Sequence, residues 1–269
     1  MQPMLNIALT AARKAGQIIL RGSEELDIVK VEEKGKNDYV SDIDRKAERE
    51  LIYHIHKAHP DHAIQAEESG FVEGKGGASD YTWIIDPLDG TTNFLRGIPH
   101  YAISIACTYR GKLEHGLIYD PTRDEAFSAS RGRGARLNGR RIRVSQQRDL
   151  GSAIVATGIP FRSHQAGHLP AYCRSLEAVA SQSAEIRRAG SAALDLAYVA
   201  AGRHDAFWEM GLQVWDVAAG ALLVQEAGGL VSDFSGGSNY LTGGEIVAGN
   251  PKCFKAVLQI VNRHLATAS

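Results

Sequence analysis

The chain is short of what several protein classes need. Its three cysteines, Cys107, Cys173 and Cys253, are far apart and in no paired motif, which argues against a disulfide framework and fits reduced thiols in a cytoplasmic protein. No apolar run approaches the ~20 residues that span a bilayer, so no membrane partner is expected. Residues 1–20 are interrupted by Asn6, Arg13, Lys14 and Gln17 and hold no small-residue cleavage site, so no signal peptide is expected. Neither sign of charge is in excess: 30 Lys and Arg against 31 Asp and Glu leave a net −1, and no global field draws in nucleic acid or an anionic surface. There is no internal repeat and no low-complexity linker. What is there is ordinary globular composition, 44% hydrophobic and 23% charged over 269 residues, enough for one large domain or two closely joined ones.

The most informative stretch is Asp86-Pro87-Leu88-Asp89-Gly90-Thr91-Thr92-Asn93-Phe94, which follows the apolar run 81–85. That run reads as a buried strand ending at Asp86, because Pro87 fixes its own φ and cannot donate to a ladder. Two carboxylates across a proline turn can point at one spot, and Gly90 lets the backbone approach a ligand while the following residues offer N–H and hydroxyl groups. Carboxylates beside phosphate-sized donors call for a cation between them, and hard oxygen ligands suit Mg²⁺. The bland alternative is a strand followed by an ordinary turn, for which Pro-x-Asp-Gly suffices.

Around this stretch the patterning divides the chain. Residues 4–21 read as an amphipathic helix, and a second helix starts at a Ser41 cap, with Asp44 three residues on, and stops before Pro60. A short strand at 63–66 runs into Glu67-Glu68. Residues 102–109 and 113–119 read as an antiparallel pair, with more short strands to 144 and a hairpin signal at Asn138-Gly139. The second half alternates: strands at 153–156, 184–187, 206–209, 230–232 and 245–248, and helices at 169–181, 191–201, 215–227 and from Pro251. Meanders followed by alternation imply two sheets of different character interleaved with helix layers, an α+β half and an α/β half. Glu67 ends a strand that can neighbour the one leading to Asp86, which would set Glu67, Asp86 and Asp89 around one cation. Far downstream, Asp216 in Trp215-Asp216-Val217-Ala218-Ala219-Gly220 opens a small-residue helix, where a simple helix-terminus role explains it equally well.

Taken together, Asp86–Phe94 and the Trp215–Gly220 motif resemble the inositol monophosphatase family, which carries D-P-[IL]-D-G-T-T-N-F and a distant W-D-x-A-A-G. Lys34-Gly35-x-Asn37-Asp38, Ala66-Glu67-Glu68-Ser69-Gly70 and Gly190 to Asp195 extend the likeness, towards bacterial members, along nearly the whole chain. The resemblance implies a single domain over 1–269 (halves 1–150 and 151–269) folded as a layered α-β-α-β-α sandwich. It implies two or three Mg²⁺ held by Glu67, Asp86, Asp89, Asp216 and the carbonyl of Leu88, activating a water and stabilising the leaving oxygen. Thr91 would orient the water and Asp44 would accept from Thr91, with Glu67 also on the catalytic side. Asp44 has a second explanation in the Ser41 capping box. On the substrate side stand Leu88, Asp89, Gly90, Thr91 and Asp216, with Gly90 and Thr91 holding phosphate. Glu209 would contact sugar hydroxyls, and Arg187, Ser191 and Ala192 would line the same pocket or a dimer interface. Lys34 would sit in a mobile loop near one metal, although a solvated surface lysine explains it equally well.

The implied activity is hydrolysis of inositol 1-phosphate and similar polyol phosphates, inhibited by lithium, by a homodimer. Rival readings are a fructose-1,6-bisphosphatase, a 3′(2′),5′-bisphosphate nucleotidase, or a partner in transcription antitermination with dispensable catalysis. His54, His56, His59 and His62 are poorly spaced for a metal and read as an exposed helix end. Arg131, Arg133, Arg136, Arg140, Arg141 and Arg143 read as a solvated hairpin edge rather than a nucleic-acid surface.

Overall fold

The computed structural model describes residues 2–26, 29–35, 38–160 and 163–265. Helix α1 (Pro3–Glu24) and helix α2 (Asp42–Ala58) flank a hairpin of β1 (Val31–Gly35) and β2 (Asp38–Ser41). Then follow β3 (Ala63–Ala66), β4 (Gly70–Val72), β5 (Tyr81–Asp89), the short helix α3 (Thr91–Leu95), β6 (Ala102–Tyr109), β7 (Lys112–Asp120), β8 (Glu125–Ser130), β9 (Ala135–Leu137) and β10 (Arg140–Arg141). The second half carries β11 (Ile154–Thr157), α4 (Leu169–Ala180), β12 (Glu185–Arg187), α5 (Ala192–Ala200), β13 (Ala206–Met210), α6 (Val214–Glu226), β14 (Leu230–Ser232), β15 (Glu245–Gly249) and α7 (Pro251–Leu265). An eight-stranded sheet runs β10-β9-β8-β7-β6-β5-β3-β4, and a five-stranded sheet runs β12-β11-β13-β15-β14.

Strand alternation builds the layers. Trp83 and Ile85 of β5 bury on one face, against Ala8, Ala12 and Ile19 of α1 and Leu51 and Ile55 of α2. Ile84 between them buries on the other face, with α5, α6 and one side of the five-stranded sheet (Phe207, Ile246, Ala248). The opposite side of that sheet, Val155, Trp208 and Val247, packs on α4 and α7. The order is therefore helix, sheet, helix, sheet, helix. The middle layer is thin because its helices are: Ala218, Ala219, Gly220 and Ala221 let α6 lie close to both neighbours, and a Cβ on Gly220 would meet Leu196 Cβ of α5 at 2.5 Å.

Two expectations change. Strand β5 does not end at Asp86 but continues to Asp89: Asp86 pairs with Ser104 and Asp89 with Ala102, so three steps on β5 oppose two on β6. Pro87 sits in this bulge, where no ladder donor is required. His62 is not part of an exposed helix end. It is buried, accepts the Trp83 indole N–H at 3.0 Å and stacks between His59 and Tyr81. The short elements β4 and α3 carry no periodicity long enough to be read. The β-like centre at 28–31 lies partly outside the described residues, where the strand is seen from Val31, and the expectations on the Lys34 side chain and Asn37 also lie outside them. The arginine run occupies the outer hairpin as read, with Asn138 and Gly139 both at positive φ (48° and 80°) in its turn.

Candidate active site

The carboxylates converge where β3, β5 and α6 meet. Parallel pairing of β3 with β5 extends one residue further through the Glu67 N–H to the Ile85 carbonyl at 3.2 Å, which sets Glu67 beside Asp86. The next N–H, of Glu68, donates to Glu48 Oε2 of α2 at 2.8 Å, so a buried glutamate from the outer helix layer fixes this exit. The bulge in β5 turns Asp86 and Asp89 the same way, and Asp86 Oδ1 accepts the Leu88 N–H at 2.9 Å. Single carboxylate oxygens of Asp86, Asp89 and Asp216 all lie within 4.8 Å of one another.

Each carboxylate has its own support. Asp89 Oδ2 accepts the Ser191 hydroxyl at 2.5 Å and the Ala193 N–H at 2.8 Å, which ties the start of α5 to the larger sheet. Asp216 Oδ2 accepts the Gln213 N–H at 2.7 Å, and Ser104 Oγ donates to the neighbouring Trp215 carbonyl at 2.9 Å. Asn93 donates to the carbonyls of His100 and Ala189 at 2.8 and 2.9 Å, so the last polar residue of the long motif pins the approach to Ser191. Gly90 has φ +98°, and a Cβ there would stand 3.0 Å from the His100 carbonyl, a position other residues cannot take without strain.

Electrostatics concentrate on Asp86, which is 1% exposed. Burial first, then the charges of Glu67, Asp89 and Asp216 and a hydrogen bond with Glu67, push its carboxyl well above the ordinary range. A cation among these oxygens relieves that repulsion, and an all-oxygen, strongly anionic donor set, with Asp86 buried and Glu67, Asp89 and Asp216 half-buried along the cleft, fits Mg²⁺. Asp44 is also buried, and burial raises its carboxyl despite hydrogen bonds from the Ser41 N–H (2.9 Å), the Ser41 hydroxyl and the Thr91 hydroxyl (3.1 Å). The capping box at Ser41 and the contact with Thr91 therefore coexist.

A cleft of about 870 Å³ opens over the cluster. Its walls include Glu67, Asp86, Leu88 to Asn93, Ser191, Ala192, Glu209 and Asp216. Arg187 is not among them: it lies on edge strand β12, paired with Glu185 at 2.9 Å, and Arg188 lines the cleft instead. Adjacent residues on an extended chain face opposite ways, so the side that faces the cleft is set by register. Thr157, Gly158, Ile159, Gln165 and Met210 to Leu212 also line it and carry no motif that would single them out.

The comparisons agree with this fold. A family model described as the inositol monophosphatase family matches residues 1–266. "Nus factor SuhB" of Pseudomonas aeruginosa is 60% identical over 265 residues, 98% of each chain. Among solved structures, extragenic suppressor protein suhB from Bartonella henselae superposes with a TM-score of 0.93 at 44% identity, over 97% of this chain and 99% of that one. Thermotoga maritima IMPase TM1415 gives 0.88 at 35% identity, over 99% of both. With its layered fold, carboxylate cluster and full-length match, the chain belongs to the inositol monophosphatase family.

Proposed function

We propose that this protein is a Mg²⁺-dependent phosphomonoesterase acting on inositol 1-phosphate and related small polyol phosphates. The observation that carries this reading is the buried Asp86, crowded by Glu67, Asp89 and Asp216 at the floor of a cleft whose other wall presents Glu209. Glu67, Asp86, Asp89, Asp216 and the Leu88 carbonyl would hold two or three ions. When bound, Mg²⁺ supplies the charge that neutralises phosphate oxygens and acidifies water.

The protein's own groups do the positioning. The Thr91 hydroxyl has one proton and two acceptors, Asp44 Oδ1 and the Leu88 carbonyl, each at 3.1 Å. With that proton directed away, its lone pairs can accept from a water in the cleft and aim that water's oxygen at phosphorus. Asp44 then takes up proton density through Thr91, a buried acceptor poised by its raised affinity. The N–H groups of Gly90 and Thr91 bind equatorial phosphate oxygens, and Glu209 accepts from ring hydroxyls, with Ser191 and Ala192 beside it. Most of the acceleration comes from orientation and charge neutralisation, as phosphoryl transfer requires.

Residues 1–269 act as one domain in this reading, because α6 buries against both sheets. A homodimer in the cytoplasm fits it, with Cys107, Cys173 and Cys253 all free thiols. No helix among the described residues is long and apolar enough to cross a membrane. A second reading, as a partner in transcription antitermination, is favoured by the Nus factor name of the 60% identical relative.

Phosphate release separates the readings. The panel is inositol phosphates, fructose 1,6-bisphosphate and 3′-phosphoadenosine 5′-phosphate, with Mg²⁺, chelator or lithium, and Asp86→Asn as control. Metal-dependent turnover of inositol 1-phosphate that disappears in the variant supports the first. Preference for a bisphosphate moves the substrate and keeps the site. A folded, inactive protein that still retains transcription factors in a pull-down supports the second.

A further inference from the structure

Two side chains cross between the cleft walls, each over a glycine, in opposite directions. Glu209, near the end of β13, lies against Gly158 in the segment after β11: a Cβ on Gly158 would stand 1.8 Å from Glu209 Oε1. Gln165, from that same segment, reaches back over Gly211, where a Cβ would stand 1.7 Å from Gln165 Nε2. No real contact is that short, so both crossings exist only because these positions are glycines. Gln165 is 6% exposed, and its Nε2 donates to the Gly211 carbonyl at 3.2 Å.

Gly211 is the pivot of the turn that joins Glu209 to Asp216. The two ends of that turn are secured differently. Asp216 has the Gln213 N–H, and the helix it opens is buried from Val217 to Val224. At the other end Glu209 and Met210 pair with Ile246 and Glu245 of β15; just beyond, the Leu212 N–H donates to the Gly244 carbonyl at 3.1 Å, and the Gln165 amide covers the Gly211 backbone. We infer that Gln165 is a positioning residue for polyol recognition: by clamping Gly211 it fixes how far the Glu209 carboxylate projects over the cleft, and so sets the preference for substrates with ring hydroxyls. This deepens the phosphatase reading and rests on it.

The test is steady-state kinetics of the full chain with Mg²⁺, comparing inositol 1-phosphate with p-nitrophenyl phosphate, which has no sugar hydroxyls. Gln165→Met keeps the length of the side chain and removes the amide. The ratio of kcat/KM for inositol 1-phosphate to that for p-nitrophenyl phosphate is expected to fall about tenfold, with the change carried by KM, as a displaced binding group costs. Should that variant not fold, Gln165→Asn, which keeps an amide one methylene too short to reach the Gly211 carbonyl, gives the same split. An equal loss on both substrates marks a merely structural role and overturns the inference, as does an unchanged ratio. If the unmodified protein hydrolyses neither compound, the phosphatase reading itself has failed.

Discussion

Thr91 reaches Asp44 across 3.1 Å although they are 47 positions apart in the chain. The contact joins the start of α3 to the first turn of α2, and so ties the outer helix layer to a residue that lines the cleft. Asp44→Asn keeps the size of the side chain but replaces a proton acceptor with an amide. The expected result is a fall in kcat of about 10²- to 10⁴-fold, the usual worth of a general base, with KM little changed. Single-turnover phosphate release with Mg²⁺ measures it.

The crowding at Asp86 predicts an unusual dependence of stability on pH and metal. A carboxyl whose folded pKa is raised gives its full stabilisation below the unfolded value of 3.8 and loses it as pH climbs through the folded value. Metal-free protein should therefore melt at lower temperature as pH rises, and Mg²⁺ should restore Tm. Asp86→Asn, which can still accept the Leu88 N–H, should show a higher metal-free Tm at alkaline pH and a smaller gain with Mg²⁺. Calorimetry with chelator and with Mg²⁺ decides.

His204 titrates with the opposite sign. Burial, then the charges of His100 and Arg187, lower its pKa from 6.5 to about 4, and its Nδ1 stands 3.7 Å from the buried Asp195 with no hydrogen-bond partner among the described residues. A lowered histidine keeps its stabilisation above 6.5 and loses it as pH falls towards 4, by about 3 kcal/mol at most. His204→Phe keeps a ring against Tyr198 and removes the proton site. Urea unfolding between these limits should give a shallower pH slope for the variant.

Gly220→Ala sets two effects against each other. Alanine gains roughly 1 kcal/mol of helix propensity over glycine. Its Cβ would meet Leu196 Cβ at 2.5 Å, an atom next to the α5 backbone that cannot swing away. Overpacking of this kind costs about 1–3 kcal/mol and should win, so the midpoint of urea unfolding should drop.

Much of this is visible in the residues alone, for physical reasons that can be named. Helices α1 and α2 have long apolar stripes and, in α2, a capping box, so local pattern and tertiary packing agree. Asp86, Asp89 and Asp216 stand in two dense motifs, each with a bland explanation alone, that become specific when they occur together in one chain. What is hidden depends on partners distant in sequence. Pro87 reads locally as a strand end and is tolerated only because β6 accommodates a bulge. Arg187 and Arg188 cannot be told apart until register fixes which one faces the cleft. Glu48 looks like one more charge on an amphipathic helix, and Gln165 like a loop residue, because each acts through a backbone group that only folding brings near.

Asp86 and Asp89 ride on the eight-stranded sheet, while Asp216 rides on α6 in the middle layer. The spacing of the three oxygens is therefore a gauge of how those two layers are seated. Whatever grips the outside of the sandwich and slides α6 against β5, even slightly, alters cation affinity by some factor. Reciprocity then obliges the cation to alter the grip by the same factor. A chain built this way can couple attachment to cation binding without a dedicated relay.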